Sequence, residues 1–298
     1  MDIRSLACFV AVAEDLHFRR AAERLHITQP ALSQRIRTLE HEVGAALLER
    51  DRRHVQLTAA GAAFLEPART AVANAAQAKA QALRAVRGEV GRLRLGFTVI
   101  AFYSALPEAV RLYRNRFPDV AVELAEMNSP TLERSLAAGE IDLGILHPPI
   151  ETPGLSVRAL RSERLMLALP EHHVLAAQQT ISVRDLDRQP FLMAPREIGP
   201  SIHDRTVALF RNEGISPHIV QYVTPMTTLV GLAAAGTGVG FVTEGMANAG
   251  RPGVAFRPVS PAAPSLPVAA AWAGSLPSVT AERFFEVVAS LEPELDER

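Results

Sequence analysis

The sequence predicts three successive parts: a small helical module, one long helix and a larger α/β domain. In residues 1–57, short amphipathic segments dominate, the first of which places Leu6 and Phe9 on one helical face. Residues 58–88 are rich in alanine, and strand-like and helix-like segments alternate from residue 92 onward. A chain of 298 residues has room for two or three globular units.

The distribution of charge predicts an anionic partner for the front of the chain. Residues 1–94 contain 15 Arg or Lys and 10 Asp or Glu, a net charge of +5, whereas the remainder carries −6. Overall composition, with 48% hydrophobic and 21% charged residues, is that of an ordinary globular protein. The expected partner therefore binds the basic front part rather than the whole surface.

The N-terminus predicts a cytoplasmic protein with no membrane partner. Asp2 and Arg4 precede an apolar run that Glu14 and Asp15 interrupt, which is not the pattern of a secretory signal. The sequence has no run of about 18 apolar residues that could form a membrane span. Cys8, the single cysteine, excludes an internal disulfide and is expected to be a buried, inert thiol.

The segment "FRRAAERLHITQPALSQRIRTLE" predicts two helices joined by a turn. The first helix is expected from about Arg19 to Leu25, with His26 and Ile27 in the turn. Thr28 is placed to cap the second helix, ahead of a proline near its first position. In such a helix-turn-helix the second helix enters the DNA major groove.

The second helix has one apolar side and one polar side. The side expected to face the first helix consists of Ala31, Leu32, Ile36 and Leu39. The side left for a partner consists of Gln29, Ser33, Gln34 and Arg37. Gln and Arg match adenine and guanine edges by paired hydrogen bonds. A solvated helix face is the alternative, and the polar residues alone favour it.

The next segment, "GAALLERDRRHVQLTAAG", favours DNA binding. Gly44 is expected to end the helix, Arg50, Arg52 and Arg53 cluster in a turn, and "VQL" predicts a short strand. This is how a winged helix-turn-helix places arginines against phosphates or in the minor groove. The setting of the polar helix face therefore outweighs the solvation alternative.

The alanine-rich residues 58–88 predict a long helix, with Pro67 as its one break and Gly88 as its end. The helix has too few large side chains for a core of its own, so it is expected to pack against a second copy. From residue 92, alternating strands and helices predict an α/β domain with mainly parallel sheets.

Polar residues stand where strands of the α/β domain meet helices. They are Thr98, Ser104, Asn128, Ser129 and Thr224. Convergence of the helix N-termini would create a cleft suited to a carboxylate, because free N–H groups there favour an anion. Ordinary helix capping is the alternative for each of them.

Two motifs typical of enzymes carry little weight. "AGTGVGF", residues 235–241, follows a helix and precedes a strand, which reverses the order of a dinucleotide-binding loop, so a helix-to-strand turn is expected. His172 and His173 are adjacent, whereas metal ligands on one helix face need a spacing of three or four. No metal, cofactor or catalytic residue is predicted.

The front of the chain resembles the LysR-type transcriptional regulators. The similarity rests on the "AA" helix, "TQPALSQRIRTLE", the following glycine, "LLER" and "VQLTAAG", all in the family's order over residues 1–61. Two positions depart from the family pattern. Arg20 stands where the family usually has Thr or Ala, and Leu48 stands where it usually has Phe. The resemblance extends over essentially the whole chain, and segments such as "GFTVIAFYSALP" and "HPPI" are similar to the branch that responds to aromatic or related organic acids.

The resemblance implies a winged helix-turn-helix at 1–57, a dimerisation linker helix at 58–88 and an effector-binding domain at 92–298. That domain would have the two-lobed α/β fold of type II periplasmic binding proteins. The first lobe is expected at about 92–162 with 267–298, and the second at about 163–266.

The predicted DNA-binding residues are Arg19, Thr28, Gln29, Pro30, Ser33, Gln34, Arg37, Arg50, Arg52 and Arg53. The effector-binding residues that the resemblance implies are Thr98, Val99, Phe102, Asn128, His147, Pro195 and Arg196. His147 stands where the branch often has Arg, so its charge would depend on pH.

We therefore expect a transcription regulator, not an enzyme, that binds a dyad-like double-stranded DNA promoter site as a homodimer or homotetramer. A small, anionic organic acid between the lobes would control it, and RNA polymerase is a candidate partner. The alternative is a cytosolic small-molecule-binding protein or enzyme whose front domain only dimerises. A periplasmic solute receptor is opposed by the absence of a signal sequence.

Overall fold

The computed structural model describes residues 1–50, 54–274 and 277–291. It divides into two compact units, Met1–Val86 and Arg87–Arg298, which are considered separately below. Within the described residues, no helix is both long enough and apolar enough to cross a membrane.

The first unit is a helical module with a small hairpin. Its elements are α1 (Ile3–Asp15), α2 (Phe18–Arg24), α3 (Gln29–Val43), β1 (Leu48–Arg50), β2 (Val55–Leu57) and α4 (Ala59–Val86). The strands β1 and β2 pair antiparallel and form the wing. The core lies among α1, α2, α3 and the start of α4, where Phe9, Ala21 and Leu32 are fully buried. Cys8 is buried there as a free thiol, as predicted.

The helix α4 runs without interruption from Ala59 to Val86, so the prediction of a break at Pro67 is wrong. A proline inside a helix removes one hydrogen bond and usually disrupts the helix. Here α4 is held against α1 on both sides of the proline, by the edge-to-face contact of Phe64 with Phe9 at 5.4 Å and by buried Ala68. Packing of α4 against α1 therefore overrides the tendency of Pro67 to interrupt the helix.

The second unit alternates strands and helices. Its elements are β3 (Val90–Phe97), α5 (Val99–Phe102), α6 (Leu106–Arg116), β4 (Asp119–Glu126), α7 (Ser129–Ala137), β5 (Leu143–Leu146), β6 (Leu155–Glu163), β7 (Leu165–Pro170), β8 (Ile181–Ser182), β9 (Pro190–Met193), α8 (Pro200–Asn212), β10 (His218–Tyr222), α9 (Met226–Ala234), β11 (Gly240–Thr243), α10 (Glu244–Ala249), β12 (Val254–Arg257), β13 (Val259–Ser260), β14 (Leu266–Ala273) and α11 (Val279–Ser290). The segment between α9 and β11 is the helix-to-strand turn expected of "AGTGVGF".

The first lobe of this unit is built on a five-stranded sheet in the order β4-β3-β5-β14-β6. The strands β4, β3 and β5 are parallel, but β14 runs antiparallel to both β5 and β6. The prediction of mainly parallel sheets is thus wrong for half of this sheet. The reason is the path of the chain between the lobes. Strand β6 leads into the second lobe and β14 returns from it, so the two strands run in opposite directions where they pair.

The second lobe contains a parallel pair, β10-β9, and an antiparallel sheet in the order β11-β7-β12. The two are joined where the amide of Leu192 donates to the carbonyl of Val239 at 2.7 Å. A single apolar core that includes Leu167, Phe191 and Phe210 fills the lobe.

Candidate functional sites

The turn between α2 and α3 fixes the angle of the two helices. His26 adopts a left-handed conformation, with φ of 54°, and the amide of Ile27 donates to the carbonyl of Ala22 at 3.0 Å. Thr28 is the N-cap residue of α3, as predicted, although its side chain makes no capping hydrogen bond. The apolar face of α3 is fully buried against α1 and α2.

The opposite face of α3 is open to solvent. Gln29, Gln34 and Arg37 are exposed and Ser33 is half-buried, and none of the four side chains has a hydrogen bond or ion pair within the described residues. Ala31 is also exposed, so its prediction as a core residue is wrong. The spacing explains the error, because the buried residues recur at positions 32, 36 and 39.

The wing is tied to the end of α3 by one carboxylate. Oε1 of Glu40 accepts hydrogen bonds from the amides of Leu47 and Leu48 at 3.0 and 3.1 Å, and Oε2 accepts one from Arg50 at 2.7 Å. The guanidinium of Arg50 also lies over the ring of Phe18, 4.9 Å from its centroid. Arg50, a predicted DNA contact, is thus engaged within the module.

The remaining predicted DNA contacts differ in their surroundings. Thr28 and Pro30 are exposed at the start of α3, beside Gln29. Arg19 is exposed and forms an ion pair with Glu23 at 3.0 Å. Arg52 and Arg53 lie outside the described residues.

Three adjacent strand ends place polar side chains together in the second unit. The register sets Phe97 of β3 opposite Glu126 of β4 and opposite Ile145 of β5. The residues that follow these strands therefore meet at one edge of the sheet, and they include Thr98, Asn128 and His147. Ligands of open α/β sheets bind at such carboxyl edges.

This edge faces a cavity of about 460 Å³ between the two lobes, whose walls include Thr98, Val99, Asn128 and His147. Its second-lobe wall is largely apolar, with contributions from Phe191, Met193, Ile202, Met226 and Leu229. Among the described residues that line the cavity, Glu126 and His147 have titratable side chains, and none is Lys or Arg. The cavity therefore offers an apolar volume without a permanent cation.

The N-termini of three helices converge on the cavity. Its lining includes Ser129 of α7, Ser201 of α8 and Met226 of α9, each within the first two residues of its helix. Asn128 caps α7, its Oδ1 accepting a hydrogen bond from the amide of Thr131 at 3.0 Å. Helix N-termini present free N–H groups and positive partial charge, so the arrangement favours an anion.

Three buried polar atoms of the lining residues have no hydrogen-bond partner in the described part of the chain: Oγ1 of Thr98, Nε2 of His147 and Oγ of Ser201. Each of these residues is 6% exposed. Buried polar groups are nearly always paired, so these atoms are suited to bind polar groups of a ligand. Burial lowers the pKa of His147, against the opposing effects of a hydrogen bond to Pro267 and the charge of Glu163.

The other predicted residues do not line the cavity. Phe102 is 43% exposed, and its ring stacks on Phe97 with centroids 5.4 Å apart. Arg196 is exposed and forms a double hydrogen bond with Asp204 at 2.8 and 2.9 Å. Pro195 is half-buried between lining residues.

Ser104, expected at the cleft because it lies between a strand and a helix, is bonded instead to Arg161. Ser201 was missed, although "GPS" at the start of α8 repeats the pattern of a small polar residue beside a helix-starting proline seen in "NSP". Within the ranges described, no group of three or more His, Cys, Asp or Glu could hold a metal ion.

Both units match models of one protein family. Residues 3–62 match the bacterial regulatory helix-turn-helix of the LysR family, and residues 87–291 match the LysR substrate binding domain. The chain belongs to the LysR family of transcriptional regulators. The predicted fold class, with a helix-turn-helix domain followed by a domain of periplasmic-binding-protein type, is therefore confirmed.

Named relatives of this regulator are themselves transcriptional regulators. AlsR of Bacillus subtilis is 43% identical over 81% of the chain and 80% of the relative. The Hca operon transcriptional activator HcaR of Escherichia coli is 37% identical over 91% of the chain and 92% of the relative. The prediction of a DNA-binding regulator rather than an enzyme is thus confirmed.

The fold is also that of a solved full-length regulator. The structure of CbnR, a LysR family transcriptional regulator, superposes with a TM-score of 0.88 and 31% identity over 97% of this chain and all of CbnR. CbnR complexed with its target DNA gives a TM-score of 0.83 at 30% identity, over 97% of this chain and 99% of that one.

Proposed function

We propose that this LysR-type regulator acts as a homo-oligomer on a dyad-like DNA site and is controlled by a small carboxylate with an apolar body. The effector would occupy the cavity between the lobes of the second unit. The observation that carries the proposal is the set of three buried polar atoms without a partner among the described residues, in a cavity whose second-lobe wall is largely apolar. The regulator would act in the bacterial cytoplasm, where its DNA lies.

The chemistry of the cavity supports a ligand with one anionic end. A helix N-terminus contributes about 0.3 to 2 kcal/mol toward a nearby anion. The hydroxyls of Thr98 and Ser201, one from each lobe, add hydrogen-bond donors to the lining. Burial of the ligand's hydrocarbon against Met193, Ile202 and Leu229 contributes about 25 cal/mol per Å².

The exposed face of α3 supports sequence-specific DNA binding. Gln29, Gln34 and Arg37 are free to form paired hydrogen bonds with adenine or guanine in the major groove. Ser33 is placed for a base or a phosphate. Ala31 adds an exposed methyl group, a suitable neighbour for the methyl group of thymine.

The second half of α4 supports pairing with another copy. Exposed apolar residues recur there with the 3-4 spacing of a coiled coil, at Ala73, Ala76, Ala80 and Leu83. A two-fold pair of modules would place two α3 helices in major grooves about one helical turn apart. We therefore propose α4 as the dimerisation helix.

Thermal unfolding of the full-length protein tests the effector proposal. We expect benzoate or hexanoate to raise the melting temperature, since a ligand at 100 times its Kd adds about 2.7 kcal/mol of stability. Benzamide, which lacks the charge, should have a smaller effect. Thr98→Val should reduce the carboxylate shift, because it removes one of the unpartnered hydroxyls.

Thr243→Val is the matched control. Thr243 is also a buried threonine with an unpartnered hydroxyl, but it does not line the cavity. The shift should be unchanged in this variant. An equal loss of the shift in both variants, or no shift with either acid, would contradict the proposed site.

A further inference from the structure

His147 is oriented by a backbone carbonyl. Its Nδ1 lies 2.9 Å from the carbonyl oxygen of Pro267, which can only accept a hydrogen bond. Nδ1 therefore carries the proton, and in the neutral ring Nε2 is left with a lone pair. Nε2 is the buried, unpartnered atom of this residue, which lines the cavity.

A neutral ring in this orientation does not suit an anion. A lone pair on Nε2 repels a carboxylate oxygen brought next to it, whereas a protonated Nε2 donates a hydrogen bond to such an oxygen. Because none of the described lining residues is Lys or Arg, His147 is the one among them that can supply a full positive charge.

Within the described residues, one charged side chain acts on His147 electrostatically and another lines the same cavity. Glu163 on β6 is buried and acts electrostatically on the ring, and its Oε2 has no hydrogen-bond partner. Its Oε1 pairs with Arg161 at 3.2 Å. Glu126, at the end of β4, lines the cavity but is exposed. Helices α5, α7, α8 and α9 contribute no titratable residue to the lining.

We propose that His147 takes up a proton from solvent when a monocarboxylate enters the cavity, so that the ligand and the proton bind together. The inference rests on the proposed function, because it concerns the same cavity. The proton adds to Nε2, which then donates to the carboxylate, while Nδ1 keeps its bond to Pro267. The uptake of one positive charge matches a ligand with one negative charge.

The sign of the resulting pH dependence follows from linkage. Burial lowers the pKa of His147, which favours the neutral form of its ring. A bound carboxylate raises that pKa, since it favours the charged ring. Between the two pKa values, affinity falls about tenfold for each unit rise in pH.

Calorimetric titration of the full-length protein with sodium benzoate and sodium hexanoate tests this proposal. The measurements run between about pH 5.5 and 8, where both carboxyl groups stay ionised. The difference in observed binding enthalpy between two buffers of different ionisation enthalpy gives the number of protons taken up. We expect uptake of about one proton and tighter binding at lower pH. Binding that is independent of pH, without proton uptake, would overturn the proposal even if no variant folds.

Three variants identify the group that is protonated. His147→Gln should bind without pH dependence, because its amide can donate without titrating. His203→Gln is the matched control, since His203 is not a lining residue although its Nδ1 also lies near a carbonyl, that of the lining residue Ala194, at 3.1 Å. It should retain the proton uptake.

The variant Glu163→Gln distinguishes between His147 and Glu163 as the group that takes up the proton. Retention of the pH dependence in this variant supports His147 as the proton acceptor. If it is lost in Glu163→Gln but kept in His147→Gln, the proton goes to Glu163 and the proposal is wrong. Failure of both acids to bind at any pH would instead overturn the proposed function, and this inference with it.

Discussion

At the scale of single residues, the position of Gln29 combines exposure with rigidity. It is the first residue of α3, and the buried residues Leu32 and Ile36 of the same helix fix that helix against α1 and α2. Its amide has no partner within the described part of the chain. A rigid helix with free side chains at its N-terminal end is the arrangement that helix-turn-helix proteins use to contact bases.

Gln29→Ala should reduce the discrimination between operator and random DNA by about 1 to 3 kcal/mol, the scale of one paired contact with a base. Competition gel shifts at fixed salt would measure the ratio of the two affinities. His41→Ala, an exposed position in the last turn of α3, is the control and should leave the ratio unchanged. An equal loss on both DNAs would assign Gln29 to the backbone rather than to a base.

The position of residues that directly follow a strand could be predicted from the sequence, whereas the position of residues farther from a strand end could not. Thr98, Asn128 and His147 each follow a parallel strand, so the carboxyl-end rule brings them together. Phe102 and Arg196 were placed by resemblance alone, and their positions depend on local partners that no pattern in the sequence specifies. In the structure these partners are Phe97 and Asp204.

At the scale of elements, the junction between the wing and α4 depends on a close backbone approach. A Cβ atom at Gly61 would lie 2.0 Å from the carbonyl oxygen of Leu47. Thr58 reinforces the junction, because its Oγ1 donates to the carbonyl of Ala46 at 2.7 Å and accepts from the amide of Gly61 at 2.9 Å. The position of the wing is therefore linked to the first turn of α4.

Gly61→Ala should destabilise the DNA-binding unit by about 1 to 3 kcal/mol, the usual cost of overpacking. Hydrogen exchange on the full chain, measured for the amides of α1, α2 and α3, would detect the loss of protection. Gly231→Ala in α9 is the matched control, since a Cβ there meets only the Arg251 side chain, at 3.9 Å. Unchanged protection in Gly61→Ala would mean that the junction can relax freely.

Sequence periodicity could not predict the features of elements that depend on contacts with distant parts of the chain. The amphipathic pattern predicted α3 and the alanine content predicted α4, each with ends close to the observed ones. By contrast, β6 has an irregular pattern of buried and exposed residues, because it pairs with β14 on the path between the lobes. The continuity of α4 through Pro67 likewise depends on its contact with α1, which a local rule cannot foresee.

At the scale of the whole molecule, the proposed pairing through α4 would make DNA affinity depend on joining two DNA-binding modules. One α3 offers few side chains to bases, whereas a joined pair converts the second contact into an intramolecular step. The candidate joint is the exposed apolar stripe of α4, in which Leu83 is 50% exposed. A charge introduced into that stripe should therefore affect assembly and DNA affinity together.

Leu83→Glu should dissociate the oligomer toward the monomer, because it would bury an unpaired carboxylate between two helices. Gln81→Glu adds the same charge about 200° around α4 and should leave the assembly intact. Sedimentation velocity measures the assembly, and gel shifts compare DNA carrying two half-sites with DNA carrying one. We expect Leu83→Glu to bind the double site about 100-fold more weakly and the single site almost normally, since only the joined contact is lost. If Leu83→Glu sediments and binds like the unmodified protein, α4 does not join the two copies through this face, and the pairing must depend on another surface.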